Sequence, residues 1–245
     1  MEDKKLTEHL TSFGLTGQEA IVYLELFRSG TSNGYELAKR IGISRSNVYK
    51  ALEGLAEKGA AYTSEDTSRK YTAVELEEFC QNKIRSLMKK KEFLMEHIPK
   101  GREGAEGYIT IVSDENIKNK IRNMLVKAKQ RVYLSMSIYY LQQFEAELQE
   151  LIVRGIKVVA LISVSDEADS QKFLNNMARI KVYVTTDKKN QIGIITDSRH
   201  VLTGELGKGR ESTCLYTGQR NFVQVFKDSM KNEIRLLECN PGMNK

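Results

Sequence analysis

The fold of the front of this chain turns on twelve residues, Ser44-Arg45-Ser46-Asn47-Val48-Tyr49-Lys50-Ala51-Leu52-Glu53-Gly54-Leu55. Val48, Leu52 and Leu55 stand at i, i+4 and i+7, so a helix built on them turns all three toward a core. Arg45, Ser46, Asn47 and Lys50 are then left outward at the amino-terminal end, the end of a recognition helix that enters a DNA major groove. Arg can donate a bidentate pair to guanine and Asn can pair with adenine, while Ser and Lys suit phosphate. Tyr49 flanks the apolar stripe and serves packing against a wing as readily as a base contact. A solvated helix face is the plain alternative, and the flanking elements argue against it.

Upstream, Thr16-Gly17-Gln18-Glu19 is a capping box opening a helix with Ala20, Tyr23, Leu24 and Phe27 on one stripe, stopped by Gly30. Asn33 to Glu36 repeats the cap, and a short helix carrying Leu37, Ala38 and Ile41 ends at Gly42. Ser44 caps the third helix, which runs to about Lys58 and closes at Gly59. Downstream, Ala60–Ser64 and Arg69–Ala73 read as two strands about the polar turn Glu65-Asp66-Thr67-Ser68. The whole is a winged helix-turn-helix over residues 1–74, with Arg69 and Lys70 at the wing's return, where phosphate lies. The candidate DNA contacts are Asn33, Ser44, Arg45, Ser46, Asn47, Tyr49, Lys50, Arg69 and Lys70. Lys39 to Lys50 is free of acidic residues. Bulk charge does not discriminate: the chain is +6, but residues 1–100 carry 16 basic against 15 acidic side chains.

Residues 75–98 read as one long helix. Leu76, Cys80, Ile84, Leu87, Leu94 and Ile98 follow four-and-three spacing, broken at Lys91. A winged helix has little surface to cover such a length, so the pattern predicts a coiled-coil dimerisation helix and a homodimer on a two-fold operator in double-stranded DNA. Pro99, Gly101, Gly104 and Gly107 then mark a linker over 99–107.

Behind it, strands and helices alternate. Strands are predicted at Tyr108–Val112, Arg131–Met136, Lys157–Val164, Ile180–Thr185, Ile192–Thr196 and Val201–Thr203. Helices are predicted at Glu115–Lys129, with Ile117, Ile121, Met124, Leu125 and Ala128 inward, and at Tyr139–Arg154, presenting Phe144, Leu148, Leu151 and Ile152. A further helix is expected near Gln171–Met177. The last begins near Gln219 with Phe222, Val225 and Phe226, and Ile234–Leu237 either extends it or forms a strand. The alternation predicts an α/β domain over 108–245. Gly204-Glu205-Leu206-Gly207-Lys208-Gly209-Arg210 lacks the Gly-Lys-Ser/Thr ending of a phosphate loop and reads as a glycine loop bordering a pocket.

Leu15-Thr16-Gly17-Gln18-Glu19-Ala20-Ile21-Val22-Tyr23-Leu24, Gly34-Tyr35-Glu36-Leu37-Ala38 and Ile43-Ser44-Arg45-Ser46-Asn47-Val48-Tyr49-Lys50-Ala51-Leu52 resemble the TrmB-like family of prokaryotic transcriptional regulators. Glu57-Lys58-Gly59 and Arg69-Lys70-Tyr71-Thr72-Ala73 continue the likeness through the wing. The resemblance implies a homodimeric repressor or activator whose rear domain senses a small-molecule effector, often a sugar. Longer members carry an additional β-rich sugar-binding module, which this chain is expected to lack.

The rear domain also resembles the phospholipase D fold through Arg154-Gly155-Ile156-Lys157-Val158 feeding a strand. That enzyme family uses His-x-Lys-x-x-x-x-Asp. Aligned on Asp197, this chain has Asn190 in the His position and Ile192 in the Lys position. Asn cannot form a phosphohistidine and Ile brings no charge to a phosphorane, so the fold is expected without catalytic residues. A phosphodiesterase or nuclease is the alternative of another class, and an architectural DNA-binding protein without effector is a third reading. Composition agrees with a globular chain at 40% hydrophobic and 29% charged residues. No apolar run nears the ~20 residues of a membrane span and no signal peptide is visible, which predicts a cytoplasmic protein without membrane contact. Cys80, Cys214 and Cys239 read as reduced thiols. His9, His97 and His200 have no second ligand at i+3 or i+4, so neither metal nor cofactor is expected.

Overall fold

A computed structural model describes residues 2–65, 69–99, 107–163, 173–177, 179–185 and 188–239. The chain forms two compact units, Met1–Lys100 and Gly101–Lys245.

The first unit runs α1 (Glu2–Ser12), α2 (Gly17–Ser29), β1 (Ser32–Asn33), α3 (Gly34–Ile41), α4 (Arg45–Glu57), β2 (Ala61–Glu65), β3 (Arg69–Ala73) and α5 (Leu76–His97). The strands make an antiparallel sheet in the order β1-β3-β2. The polar turn predicted between β2 and β3 lies largely outside the described residues, at 66–68. Helix α1 is not signalled by apolar spacing, since Leu10 is its one buried residue.

The capping box of α2 forms: the Glu19 amide donates to Thr16 Oγ1 at 3.2 Å and the Thr16 amide to Glu19 Oε2 at 2.7 Å. The same carboxylate accepts from Lys58 Nζ at 2.6 Å, tying the start of α2 to the end of α4. Burial would raise the Glu19 pKa, but the Lys58 ammonium and the Thr16 amide hold it below the ordinary value. Gly54 makes this crossing possible, because a Cβ there would stand 2.2 Å from Glu19 Oε1. Ala20 and Tyr23 are inward as predicted, but Val22 and Leu26 are buried too, and Phe27 is 52% exposed. Helix α2 is covered by α1 as well as α4, so its buried arc centres on Val22, Tyr23 and Leu26 and passes Phe27 by.

Helix α5 corrects the predicted seam at its start. Phe79, which the four-and-three spacing skips, is fully buried with its ring 5.9 Å from that of Tyr23. Cys80 beside it is half-buried and packs on the same core, so its place is within the unit. Tyr23 completes the joint by donating its hydroxyl to the Val74 carbonyl at 2.8 Å. Beyond this first turn, Ile84, Leu87, Leu94 and Ile98 are all exposed, as are Met88, Phe93 and Met95.

The second unit runs β4 (Tyr108–Val112), α6 (Asp114–Lys127), β5 (Arg131–Ser137), α7 (Ile138–Leu141), a 3-10 turn (Gln142–Phe144), α8 (Glu145–Val153), β6 (Lys157–Ser163), β7 (Lys181–Val184), β8 (Gln191–Thr196), β9 (His200–Glu205), β10 (Thr213–Thr217) and α9 (Arg220–Cys239). Its seven strands lie in the order β4-β10-β9-β8-β5-β6-β7, with β5, β6 and β7 parallel and the other pairings antiparallel. Alternate residues serve opposite faces. Leu134, Ala160, Ile194 and Leu202 face α6 and α8, while Leu161, Ile195 and Val201 face Val223 and Met230 of α9. The sheet is therefore covered on both sides, an α/β arrangement.

The second unit departs from the sequence reading at three places. The single helix at Tyr139–Arg154 is broken, because Phe144 leaves the helical region (φ −117°, ψ 22°) with its ring in the core. Thr213–Thr217 is a strand between β4 and β9, whereas the sequence reading has none; Cys214 alone is buried among its apolar side chains, so alternation is faint. Gly204 and Glu205, read as loop, end β9. Helix α9 continues through Ile234–Leu237, and its buried stripe runs through Val223 and Met230, leaving Val225 exposed. The helix predicted near Gln171–Met177 is described only in part, helical at 173–176, and most of the predicted linker lies outside the described residues.

Candidate nucleic-acid interface

The amino-terminal turns of α4 and α3 meet beside the root of the wing. Val48, Ala51, Leu52 and Leu55 are buried, so the helix is fixed in rotation with Ser44, Arg45, Ser46, Asn47, Tyr49 and Lys50 exposed. Ser44 Oγ accepts from the Asn47 amide at 3.4 Å and lies 3.3 Å from Ser46 Oγ, so Ser44 serves the helix start first. Asn33 is likewise a cap: its Oδ1 accepts from the Glu36 amide at 2.9 Å, which leaves its NH2 for any partner.

Tyr35 was not singled out from sequence, yet it supports the leading cation. The Arg45 guanidinium lies 4.2 Å from the centroid of the exposed Tyr35 ring. Attraction to the ring face restrains the guanidinium while its remaining N–H groups stay available to acceptors. The available signal was its place two residues after the Asn33 cap, where an aromatic has no core to enter. Tyr49 packs over the start of α3, since a Cβ at Gly34 would stand 2.6 Å from its ring. Only a glycine admits that close approach of α3 to α4.

The wing joins the same face through register. Asn33 on β1 is opposite Lys70 on β3, and Lys70 is opposite Ser64 on β2. Lys70 is half-buried and Arg69 exposed, with the Arg69 guanidinium 5.5 Å from the Tyr71 ring centroid. Burial raises the Tyr71 hydroxyl pKa, so that ring is a neutral platform. Arg40, on the exposed side of α3, donates to Ser32 Oγ at 3.3 Å. A row of donors therefore runs from α4 to β3 with no acidic side chain on α4's first turn.

In the second unit, the three positions compared with the phosphodiesterase motif are all occupied by structural work. Ile192 is buried in the core under α6 and α8. Asn190 Oδ1 and the Leu206 carbonyl lie 3.1 and 3.0 Å from the Tyr140 hydroxyl and share its single proton as acceptors. Asp197 accepts from the amides of Lys129, Gln130 and Arg131 at 2.9, 2.7 and 3.0 Å. Burial would raise its pKa, and these three amides bring it below the ordinary value instead. Arg154, from the other quoted stretch, donates to the Val126 carbonyl at 2.8 Å and to the Ala128 carbonyl, closing the end of α6. Among the described residues no group of three or more His, Cys, Asp or Glu could hold a metal ion. Among them, too, no helix is long and apolar enough to cross a membrane.

Residues 10–77 match the family described as sugar-specific transcriptional regulator TrmB, and residues 107–232 match the amino-terminal subdomain of the TrmB EBD. YrhO of Bacillus subtilis, an uncharacterised protein, is 22% identical over 241 residues, covering 96% of this chain and 86% of YrhO. TrmBL1 of Pyrococcus furiosus, an HTH-type sugar-sensing transcriptional regulator, is 26% identical over 156 residues, 61% of this chain and 46% of TrmBL1. Among solved structures, TrmBL2, an archaeal chromatin protein, is 21% identical with a TM-score of 0.45 over 95% of this chain and 98% of its own. Nuc of Salmonella typhimurium, a phospholipase D family member, is 15% identical with a TM-score of 0.43, over 53% of this chain and 94% of Nuc. With one match across the winged helix-turn-helix and the other across most of the α/β unit, the chain belongs to the TrmB family of transcriptional regulators.

Proposed function

We propose that this protein is a sequence-specific DNA-binding regulator that acts as a cytoplasmic homodimer and answers a small-molecule effector through its α/β unit. The observation that carries the DNA-binding reading is Arg45, exposed on the first turn of α4 and stacked on Tyr35 beside the Asn33–Lys70 pairing. The family description and the naming of TrmBL1 favour an effector that is a sugar or a sugar derivative. Dimerisation is supported by the apolar face of α5 from Ile84 to Ile98, which its own unit leaves uncovered.

Selection from a random duplex pool, followed by fluorescence anisotropy on the recovered site, tests the reading. Arg45→Ala should cost about 1–3 kcal/mol on that site and relax base preference at one position. Lys70→Ala should weaken binding to all duplexes alike and flatten the salt dependence by about one phosphate contact. Failure to enrich any sequence, or unchanged affinity in both variants, refutes the assignment.

The α/β unit is proposed to bind without catalysing. No nucleophile stands at Asn190 and no phosphate-binding cation at Ile192, so a chromogenic phosphodiester should persist unhydrolysed with the purified protein. Turnover that co-purifies with the protein and disappears in Asn190→Ala overturns this.

A further inference from the structure

One cavity of the α/β unit, about 460 Å³, opens between α6 and the β8–β9 turn. Its wall carries Lys120 and Lys127 of α6, Lys129 after it, and Arg199 and His200 at the start of β9. Five cationic or protonatable groups share this cavity, and among the described residues none of them forms a salt bridge. The one acidic group on the wall is Asp197, and both of its oxygens already accept backbone amides. The carbonyls of Val126 and Ala128, where α6 ends, accept from Arg154. The carboxylate and carbonyl oxygens nearby thus already accept hydrogen bonds, while among the described residues no carboxylate forms a salt bridge with the positive groups.

A solvated helix face would let its lysines extend into water. Lys120 does otherwise: it is half-buried, with its ammonium 3.5 Å from the centroid of the Tyr216 ring. The His200 ring stacks on that same tyrosine, 5.7 Å between centroids and 10° from parallel. Tyr216 therefore holds a cation and an exposed imidazole together on the cavity wall. Burial first, and then the Lys127 charge, pulls the Lys120 pKa down; burial, followed by Lys120 and Arg199, does the same to His200, against the Asp197 carboxylate, which pushes it up. These groups repel one another, a cost that a bound anion would relieve. Arg199 adds a planar fork suited to a phosphoryl group, and Asn123 at the rim adds a neutral donor for the remainder of a ligand. The volume is that of a small-molecule site.

We propose that this cavity binds a small organic phosphate, its phosphoryl group held by Lys120, Arg199 and His200. That its occupancy alters DNA affinity rests on the effector-responsive reading above; the site itself does not.

Calorimetric titration of the full chain with glycerol 3-phosphate, and with glycerol as the uncharged control, tests it. The phosphate should bind and glycerol should not. Lys120→Met, which keeps an apolar stem on Tyr216, and the exposed Arg199→Gln should each weaken binding by roughly tenfold or more. Thermal melts of both variants separate a lost contact from a lost fold, and Arg199→Gln serves if Lys120→Met unfolds. Absence of binding by the wild type at millimolar phosphate, or unchanged affinity in a folded variant, overturns the site. Loss of duplex binding in the variants with no glycerol 3-phosphate binding by the wild type would assign the cluster to the DNA backbone and also overturn it. Phosphate binding that leaves affinity for the selected duplex unchanged upholds the site and removes its regulatory role.

Discussion

Replacing Ile84 and Leu87 by glutamate is expected to turn a dimer into a monomer in sedimentation equilibrium and to lower operator affinity in the same step. Both side chains stand on the face of α5 that its own unit leaves uncovered, and Leu87 is 62% exposed. Covering a leucine or isoleucine fully stabilises by about 1.5–3 kcal/mol, so a paired seam from Ile84 to Ile98 supplies enough to hold two copies together. Two charges per chain at its start reverse that, since a carboxylate in an apolar seam has no partner. Losing the second winged helix removes the intramolecular step of binding, an expected fall of roughly 10²-fold or more on a two-fold site. The selected operator should correspondingly show half-sites about one helical turn, ~34 Å, or a multiple apart. A wild-type monomer at micromolar concentration refutes this, as does a double variant that dimerises and binds normally.

Phe79→Ala is expected to be the more damaging change to folding, although it lies only five residues before Ile84. Phe79 is fully buried against Tyr23, and a phenylalanine removed from such a site costs about 3–5 kcal/mol. Urea unfolding is best measured in the Ile84→Glu, Leu87→Glu background, where association no longer contributes to apparent stability. In that background the exposed seam positions should themselves change little, within about 0.5 kcal/mol. An unfolding midpoint for Phe79→Ala equal to that of its parent would show that α5 is not anchored at its first turn.

The winged helix was legible because its signals are local. Thr16, Asn33 and Ser44 each stand one residue before a helix and accept an amide at its third position. The Val48-Leu52-Leu55 stripe set the rotation of α4, and with it the exposure of Arg45, Asn47 and Lys50. What the sequence hid depends on tertiary neighbours. Nothing at Tyr35 announces a contact with a residue ten positions later, and nothing at Gly54 announces the Glu19 carboxylate. Phe79 was passed over because periodicity along α5 follows its exposed apolar face, while its first turn answers to Tyr23 in a different helix. Strand β10 was missed for a related reason: it lies between β4 and β9 with its two faces unequally covered, so burial does not simply alternate along it. The cationic cavity gathers Lys120, Arg199 and Tyr216 from three elements, a grouping that only the sheet order creates.

Asp197 shows how a charged residue can be fixed by backbone geometry alone. It and Ser198 both have positive φ, 52° and 54°, and together they turn β8 back into β9 while the carboxylate gathers three amides of the α6–β5 connection. Asp and Asn tolerate that backbone better than other side chains bearing a Cβ, and of the two only Asp brings a full charge to the amides. Selection for folding alone is thus sufficient to keep an acid here. An acid at this position therefore says nothing about catalysis, because the hairpin requires it in any case. Asn190 and Ile192 are set by the fold in the same way, one as a neutral acceptor beside the Tyr140 hydroxyl and the other as an apolar filler under α6 and α8.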